Sequence, residues 1–204
     1  MSQDMGIPFH TMQGTVDLMA LTSGDVVATV IADGLSKINR FNGRTPGTWS
    51  VAAHSVIVSR LCPPDLEAWG LLHDAHEVFL GDITSPAVHL LKAPMTPGAA
   101  ETIDYAIRRA KIELDEQIAV FWGVESASLE EGLLLADWAA LEAEMHVFFG
   151  VPIRTTYPEN TDLAERAVQM IRELPAVTTW HDDRQTWLET AKSLEARGLL
   201  RLPS

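Results

Sequence analysis

Apolar residues recur along most of the chain at the three-and-four spacing of amphipathic helices, and few stretches show the strict alternation of a half-buried strand. The clearest example is the segment from about 99 to 122. Its apolar positions are Ile103, Ile107, Ala110, Leu114, Ile118 and Phe121. The pattern therefore predicts an all-α fold.

Breaker residues set the bounds of the other predicted helices. A first helical region is predicted at 16–39, with an interruption near Ser23-Gly24 left open. Further helices are predicted at about 50–61, 65–80, 128–149, 160–173 and 184–198. Ser50 can cap the helix that follows it. Segments rich in Gly, Asn and Pro predict loops at 39–49 and 81–98, the second with at most a short helix at about 86–92.

Length and composition narrow the class of protein. The 204 residues fit one compact domain over 1–204, and no internal repeat or long linker divides them. Cys62 is the only cysteine, so no intrachain disulfide can form. Neither a secretory leader nor an uncharged window of about 18 residues is visible. We therefore expect a cytoplasmic protein without membrane contact.

The charge balance bears on the partner. Fifteen Lys and Arg against 28 Asp and Glu give a net charge of −13, without a local basic patch. Because such a chain repels polyanions, a nucleic acid polymer is not the expected partner. A small phosphorylated molecule remains compatible, since it needs only a few well-placed cations.

Three predicted helices place ionisable side chains among apolar ones. These side chains are His54 in 50–61, His73 with its neighbours Asp74 and Glu77 in 65–80, and Asp137 in 128–149. A single inward histidine or aspartate is most often an ordinary core residue or helix cap. Burying a carboxylate without a cation, however, costs several kcal/mol, and no Lys or Arg occurs between Lys111 and Arg154. The three helices together favour a divalent metal, for which neutral imidazoles and carboxylates are suitable ligands.

The order of these residues also resembles a known family. A histidine, an HD doublet and a later aspartate, here His54, His73-Asp74 and Asp137, are the pattern of the HD-domain phosphohydrolase superfamily. The segments "HDAHEVFLGDI" and "INRFNGRTPGTWSVAAHS" are similar to the branch of 5′-deoxynucleotidases and phage-type dATP triphosphohydrolases. The resemblance covers roughly 30–145, which would be the catalytic core of a helical HD domain, with C-terminal helices at about 160–200.

The resemblance implies a role for each matching residue. His54, His73, Asp74 and Asp137 would be the metal ligands, and Glu77 the acid/base. Arg40 and Phe41 would meet phosphate and sugar or base, Asp82 would lie near the sugar and the reacting centre, and Pro86 and Lys92 would line the nucleotide pocket. Monophosphatase members carry tryptophan where this chain has Phe41. His76 and Trp49 match no position of defined role.

Two histidines and two aspartates suit one Mn, Fe, Co, Ni or Zn ion equally well. A second Mg or Mn ion bound with the substrate phosphates is left open. The expected function is hydrolysis of a deoxynucleotide, with release of triphosphate from dATP favoured and Lys92, Arg44 and Arg108 as cations beyond the first phosphate. The alternatives are a 5′-deoxynucleotidase and a non-catalytic, metal-stabilised nucleotide-binding module. The expected assembly is a homo-oligomer, dimer or higher.

Overall fold

The computed structural model describes residues 6–11, 14–154, 158–175 and 178–204, without the side chains of 158 and 159. Over these residues the protein is an all-α bundle with one small hairpin, which confirms the predicted fold class. The helices are α1 (Ala28–Lys37), α2 (Val51–Leu61), α3 (Glu67–Leu72), α4 (Glu77–Leu80), α5 (Ser85–Lys92), α6 (Pro97–Trp122), α7 (Glu131–Phe149), α8 (Pro158–Glu173) and α9 (Trp180–Ala196).

Helix α2 forms the centre of the bundle. It contacts α1, α3, α7, α8 and α9, and every residue in it except Arg60 is buried. Ser50 caps it as predicted, because its hydroxyl accepts a hydrogen bond from the backbone N–H of Ala53 at 3.1 Å. The same hydroxyl donates to Asp183 of α9 at 2.6 Å. The helix that carries His54 is therefore fixed on all sides.

The prediction of a helix from residue 16 onward was wrong for its first part. Strands β1 (Pro8–Thr11) and β2 (Gly14–Asp17) pair antiparallel, and a short 3₁₀ turn at Ser23–Val26 precedes α1. The carboxylate of Asp17 accepts hydrogen bonds from the backbone of Ile7 and Met19 at 2.9 and 3.0 Å. Such side-chain bonds to backbone compete with helix formation, and residue periodicity does not report them.

The helix predicted at 65–80 is interrupted in its middle. Helix α3 ends at Leu72, a turn covers 73–76, and α4 follows. The His73 side chain donates from Nδ1 to the Gly70 carbonyl at 2.8 Å, and this carbonyl would otherwise accept from the backbone of Asp74. The HD doublet therefore lies in a turn, from which its side chains face α2.

The later helices agree closely with the predicted bounds. The short helix foreseen within 81–98 is α5, and the two long helices are α6 and α7. The predicted loop at 39–49 contains a 3₁₀ turn at Arg40–Gly43, and its first residue, Asn39, forms an isolated β-bridge with Ser50. Among the described residues, no helix combines the length and the apolar character needed to cross a membrane.

Candidate metal centre

Two buried imidazoles face a common point from α2 and from the turn after α3. His54 Nδ1 lies 2.7 Å from Glu144 Oε1, and His73 Nδ1 lies 2.8 Å from the Gly70 carbonyl. A carbonyl or an ionised carboxylate can only accept, so we assign the proton of each ring to Nδ1. In the neutral rings each Nε2 then presents a lone pair, and the buried Nε2 of His73 has no hydrogen-bond partner among the described residues.

Two carboxylates complete the set of potential ligands. Asp137 Oδ1 lies 3.0 Å from His54 Nε2 and 3.9 Å from His73 Nε2. Asp74 Oδ2 lies 3.2 Å from His73 Nε2 and 3.9 Å from His54 Nε2. Ligand atoms of His54, His73 and Asp74 all lie within 4.8 Å of one another and could hold a metal ion. Where imidazole nitrogens face carboxylate oxygens, either a proton or a metal cation lies between them, and this set of donors fits a divalent metal.

Asp137 differs from its expected surroundings. The sequence pattern placed its carboxylate in the sealed core, whereas 45% of the side chain is exposed. Its α7 position opens on a cavity that Asp137 and His73 line together. One side of the candidate centre is therefore accessible to a small molecule.

The charges at the site reinforce one another. Burial disfavours the charged form of His73, but the neighbouring Asp74 outweighs it and raises the pKa of His73 to about 9. Burial likewise opposes ionisation of Asp74, and the His73 imidazole nevertheless holds the pKa of Asp74 well below its usual range. The field that favours an imidazolium here equally favours a bound cation.

Glu77 is a buried carboxyl beside this set. The residue is 5% exposed, and its buried Oε2 has no hydrogen-bond partner in the part of the chain that the structure describes. Burial, followed by repulsion from Asp74 and Asp82, raises the pKa of Glu77 to about 9. Asp82 is itself partly buried, and burial raises its pKa against the opposing effect of Arg40. Glu77 can therefore carry a proton near neutral pH.

Arg40 is held at the site by a residue that the sequence interpretation missed. Glu144 Oε2 accepts from Arg40 Nε and lies 3.0 Å from Arg40 Nη2, while its other oxygen bonds His54. Arg40 Nη1 lies 3.9 Å from Asp74 Oδ2. Glu144 is fully buried in an alanine-rich face of α7, seven residues after Asp137. The spacing of two helical turns between Asp137 and Glu144 was the feature of the sequence that could have identified Glu144.

The other residues predicted to contact the substrate differ in how close they lie to the candidate centre. Phe41 adjoins Arg40 with a φ of 54°, and its ring packs edge-on against Phe149 at 5.2 Å. Pro86 is exposed in the first turn of α5. Lys92 forms an ion pair at 2.5 Å with Asp104 of α6. Phe41 therefore lies near the centre, while Lys92 is engaged elsewhere.

The cavity beside the centre has a volume of about 500 Å³, within the range of small-molecule sites. Apolar side chains of α5, α6 and α7 form much of its wall. Arg108 and Lys111 add two cations from α6, while Lys92 and Arg44 are not part of the wall. The sequence pattern predicted no role for Lys111. Its charge lies close enough to Glu77 to oppose the rise of the Glu77 pKa.

Comparisons with known proteins add relatives of unstated activity. No family model matches the chain. The uncharacterised protein YfdR of Escherichia coli is 39% identical over 88 residues, which cover 43% of this chain and 48% of that protein. The uncharacterised protein RCAP_rcc00048 of Rhodobacter capsulatus is 39% identical over 98 residues, which cover 44% of this chain and 48% of that protein. The matched part thus spans about half the length of these curated relatives.

Proposed function

We propose that this protein is a metal-dependent phosphohydrolase of deoxynucleotides that releases deoxynucleoside and triphosphate from a deoxynucleoside triphosphate. One observation carries the proposal: two imidazoles and two carboxylates converge beside a buried, unpartnered carboxyl group and a fixed guanidinium. The resemblance to the HD-domain phosphohydrolases supplies the reaction class and makes dATP the first substrate to test.

His54, His73, Asp74 and Asp137 would hold the metal ion, which is Mn, Fe, Co, Ni or Zn on this donor set. When bound, such an ion supplies Lewis-acid chemistry, because it acidifies water and offsets the charge of a phosphoryl group. The opening beside Asp137 gives a phosphate and water access to this position.

Glu77 serves as the proton carrier. In its ionised form Glu77 can take the proton of the attacking water, and the raised pKa makes this carboxylate a stronger base than that of an exposed glutamate. Attack at the α-phosphorus breaks the bond to the 5′ oxygen of the nucleoside, and that leaving oxygen receives a proton. Glu77 is suited to deliver it because the protonated form is stable near neutral pH.

Arg40 binds the phosphate. Glu144 fixes the guanidinium through Nε and Nη2, which leaves donors on Nη1 for phosphate oxygens. Holding this group in place before the substrate arrives lowers the entropic cost of positioning the phosphorus. Phe41, next to Arg40, and Asp82, next to Glu77, would contact the sugar.

Two cations of α6 support a triphosphate over a monophosphate, and Asp104 and Asp115 of the same helix also line the cavity. Arg108 and Lys111 line the cavity, and no ion pair engages either cation within the described ranges. They can offset the charge of phosphates beyond the first. A 5′-deoxynucleotidase would attack the same phosphorus but would make no use of them.

Mass spectrometry of reaction products tests the proposal. The protein, supplied with Mn²⁺ or Co²⁺, is incubated with deoxy- and ribonucleoside mono-, di- and triphosphates. We expect deoxynucleoside and tripolyphosphate, fastest from dATP, and no turnover after chelation. Orthophosphate from monophosphates alone would replace the triphosphohydrolase by the 5′-deoxynucleotidase. Metal binding with no hydrolysis of any nucleotide would leave only the binding module.

A further inference from the structure

Acidic and basic side chains share the face of α6 that lines the cavity. At helical spacing this face presents Asp104, Arg108, Lys111 and Asp115. Asp115 is buried, and its two oxygens lie 2.9 Å from His76 Nδ1 and 3.4 Å from the Ser128 hydroxyl. The side chain of Asp104, in contrast, is 46% exposed. Asp104 is therefore the carboxylate of this face that is open to the cavity, about one helical turn from Arg108.

Asp104 and Arg108 are four residues apart, a spacing at which opposite charges on a helix form ion pairs. The same helix contains such a pair between Arg109 and Glu113. The remaining positions three or four residues from Arg108 carry no acid and are Tyr105, Lys111 and Ile112. Asp104 is therefore the acidic residue of α6 that is placed to pair with Arg108 and to withdraw it from a ligand.

A lysine of α5 engages Asp104 instead. Lys92 Nζ lies 2.5 Å from Asp104 Oδ2, and the Lys92 side chain is 22% exposed. Lys92 is not part of the cavity wall, although the resemblance implied that it lines the nucleotide pocket. Arg108 lines the cavity and forms no ion pair with any residue that the structure describes. Lys92 thus occupies the acidic neighbour of Arg108, and the guanidinium stays available.

We propose that Lys92 is a positioning residue for polyphosphate, which neutralises Asp104 and thereby keeps Arg108 free for phosphates beyond the first. The identity of the anion rests on the proposed function, whereas the linkage of the three side chains does not. Four residues of helix span about 6 Å along the axis, which is less than the screening length of about 8 Å in physiological salt. Without Lys92, the Asp104 carboxylate would both repel a phosphate chain and attract the guanidinium.

Calorimetry with inorganic tripolyphosphate tests the proposal without a reaction. The full-length protein, with no metal added to the buffer, is titrated with tripolyphosphate and with orthophosphate. We expect Lys92→Met to weaken tripolyphosphate binding about 3- to 10-fold, a moderate loss because the ion pair is partly exposed and screened. Orthophosphate carries less charge and should be affected less than about twofold. Lys192→Met removes the same charge from an exposed position of α9 and should bind both anions like the unmodified protein.

A double variant decides how Lys92 acts. If Lys92 acts through Asp104, Lys92→Met should have no further effect once Asp104→Asn has removed the carboxylate. Asp104→Asn alone should bind tripolyphosphate at least as tightly as the unmodified protein. An equal loss from Lys92→Met in both backgrounds would show that Lys92 contacts phosphate itself, and it would overturn the proposal.

Circular dichroism verifies the fold of each variant, and Lys92→Gln replaces Lys92→Met in the same comparison if the methionine variant does not fold. If the protein hydrolyses dATP, Lys92→Met should raise KM and leave kcat unchanged. Failure of the unmodified protein to bind tripolyphosphate would also overturn the proposal. The expected binding pattern in a protein that hydrolyses no nucleotide would remove the proposed function and leave the role of Lys92 in place.

Discussion

His73 performs two tasks with its two ring nitrogens. Nδ1 donates a hydrogen bond to the Gly70 carbonyl and so ends α3, while Nε2 faces Asp74 and Asp137. His73 therefore interrupts the helix, and this interruption in turn positions the His73 side chain. One hydrogen bond, from His73 Nδ1 to the Gly70 carbonyl, therefore both ends α3 and orients the imidazole ring.

Removing a predicted ligand should remove the metal. His73→Ala or Asp74→Ala loses a donor at the centre, so we expect bound metal and hydrolysis to be abolished. Thermal stability should fall as well, because the ion stabilises only the folded state. His89→Ala, which removes an exposed histidine of α5, is the matched control. Elemental analysis that shows stoichiometric metal in both ligand variants would contradict the ligand set.

Glu77→Gln separates an enzyme from a binding module. The amide keeps the shape of the side chain but cannot accept a proton, so turnover should fall about 10²- to 10⁴-fold. The ion held by His54, His73, Asp74 and Asp137 should remain, as measured by elemental analysis. Loss of the metal together with turnover would make Glu77 a ligand of this ion. Undiminished turnover would transfer the proton role to Asp82.

At the scale of elements, α7 connects the candidate metal ligands to Arg40, the proposed phosphate-binding residue. Asp137 and Glu144 lie two turns apart on this helix, and Glu144 reaches both His54 of α2 and Arg40 of the preceding turn. A displacement of α7 would therefore disturb metal and phosphate binding together.

Glu144→Gln should reveal this connection. The amide can still accept from His54 but no longer offsets the charge of Arg40. We expect metal affinity to fall about 10- to 100-fold, as for other residues that orient a ligand, and KM for the nucleotide to rise. A chelating-dye competition and steady-state kinetics measure the two effects. Glu131→Gln, at an exposed position of the same helix, is the control, and an equal response of both variants would contradict the role.

Helices α2 and α3 pack closely at Gly70. A Cβ there would lie 2.8 Å from Cys62 Sγ and 3.0 Å from the backbone Cα of Ser59. Because the Ser59 backbone cannot move without disturbing α2, Gly70→Ala should lower the free energy of unfolding by about 1–3 kcal/mol. It should also weaken metal binding, because the Gly70 carbonyl orients His73. Gly98→Ala meets no atom within 4 Å and serves as the control in urea denaturation. Equal stability of the two variants would refute this account.

For the whole molecule, metal and protons compete for the same side chains. The folded protein raises the pKa of His73 from 6.5 to about 9, and that of Glu77 from 4.5 to about 9. A raised pKa stabilises the fold fully below the unfolded value, and this stabilisation disappears as the pH rises through the folded value. Both groups therefore act in the same direction.

We expect the chelated protein to lose stability between about pH 4.5 and pH 9 through these two groups. With saturating Mn²⁺ the trend should reverse, because deprotonated ligands bind the ion more tightly. Thermal unfolding with and without metal across this range measures the difference in Tm, which should widen with pH. A chelated protein that becomes more stable from pH 6 to pH 9 would contradict the expectation.

Sequence periodicity determined most of the helices and pointed to four residues of the candidate centre, His54, His73, Asp74 and Asp137. The buried face of a helix can be read from its local sequence, so His54 was placed inward from Val51, Val58 and Leu61. The bounds of α6 and α7 followed from the same rule. The HD doublet was found because ionisable residues within an apolar run are costly without a cation.

Tertiary structure decided how these residues meet. Glu144 joins Arg40 and His54 across 104 and 90 residues of chain, and His76 meets Asp115 across 39. The opening beside Asp137 depends on how α5, α6 and α7 diverge. The turn at 73–76 depends on a hydrogen bond of the His73 side chain. Periodicity states which face of a helix is covered, but only packing determines which distant residue covers it.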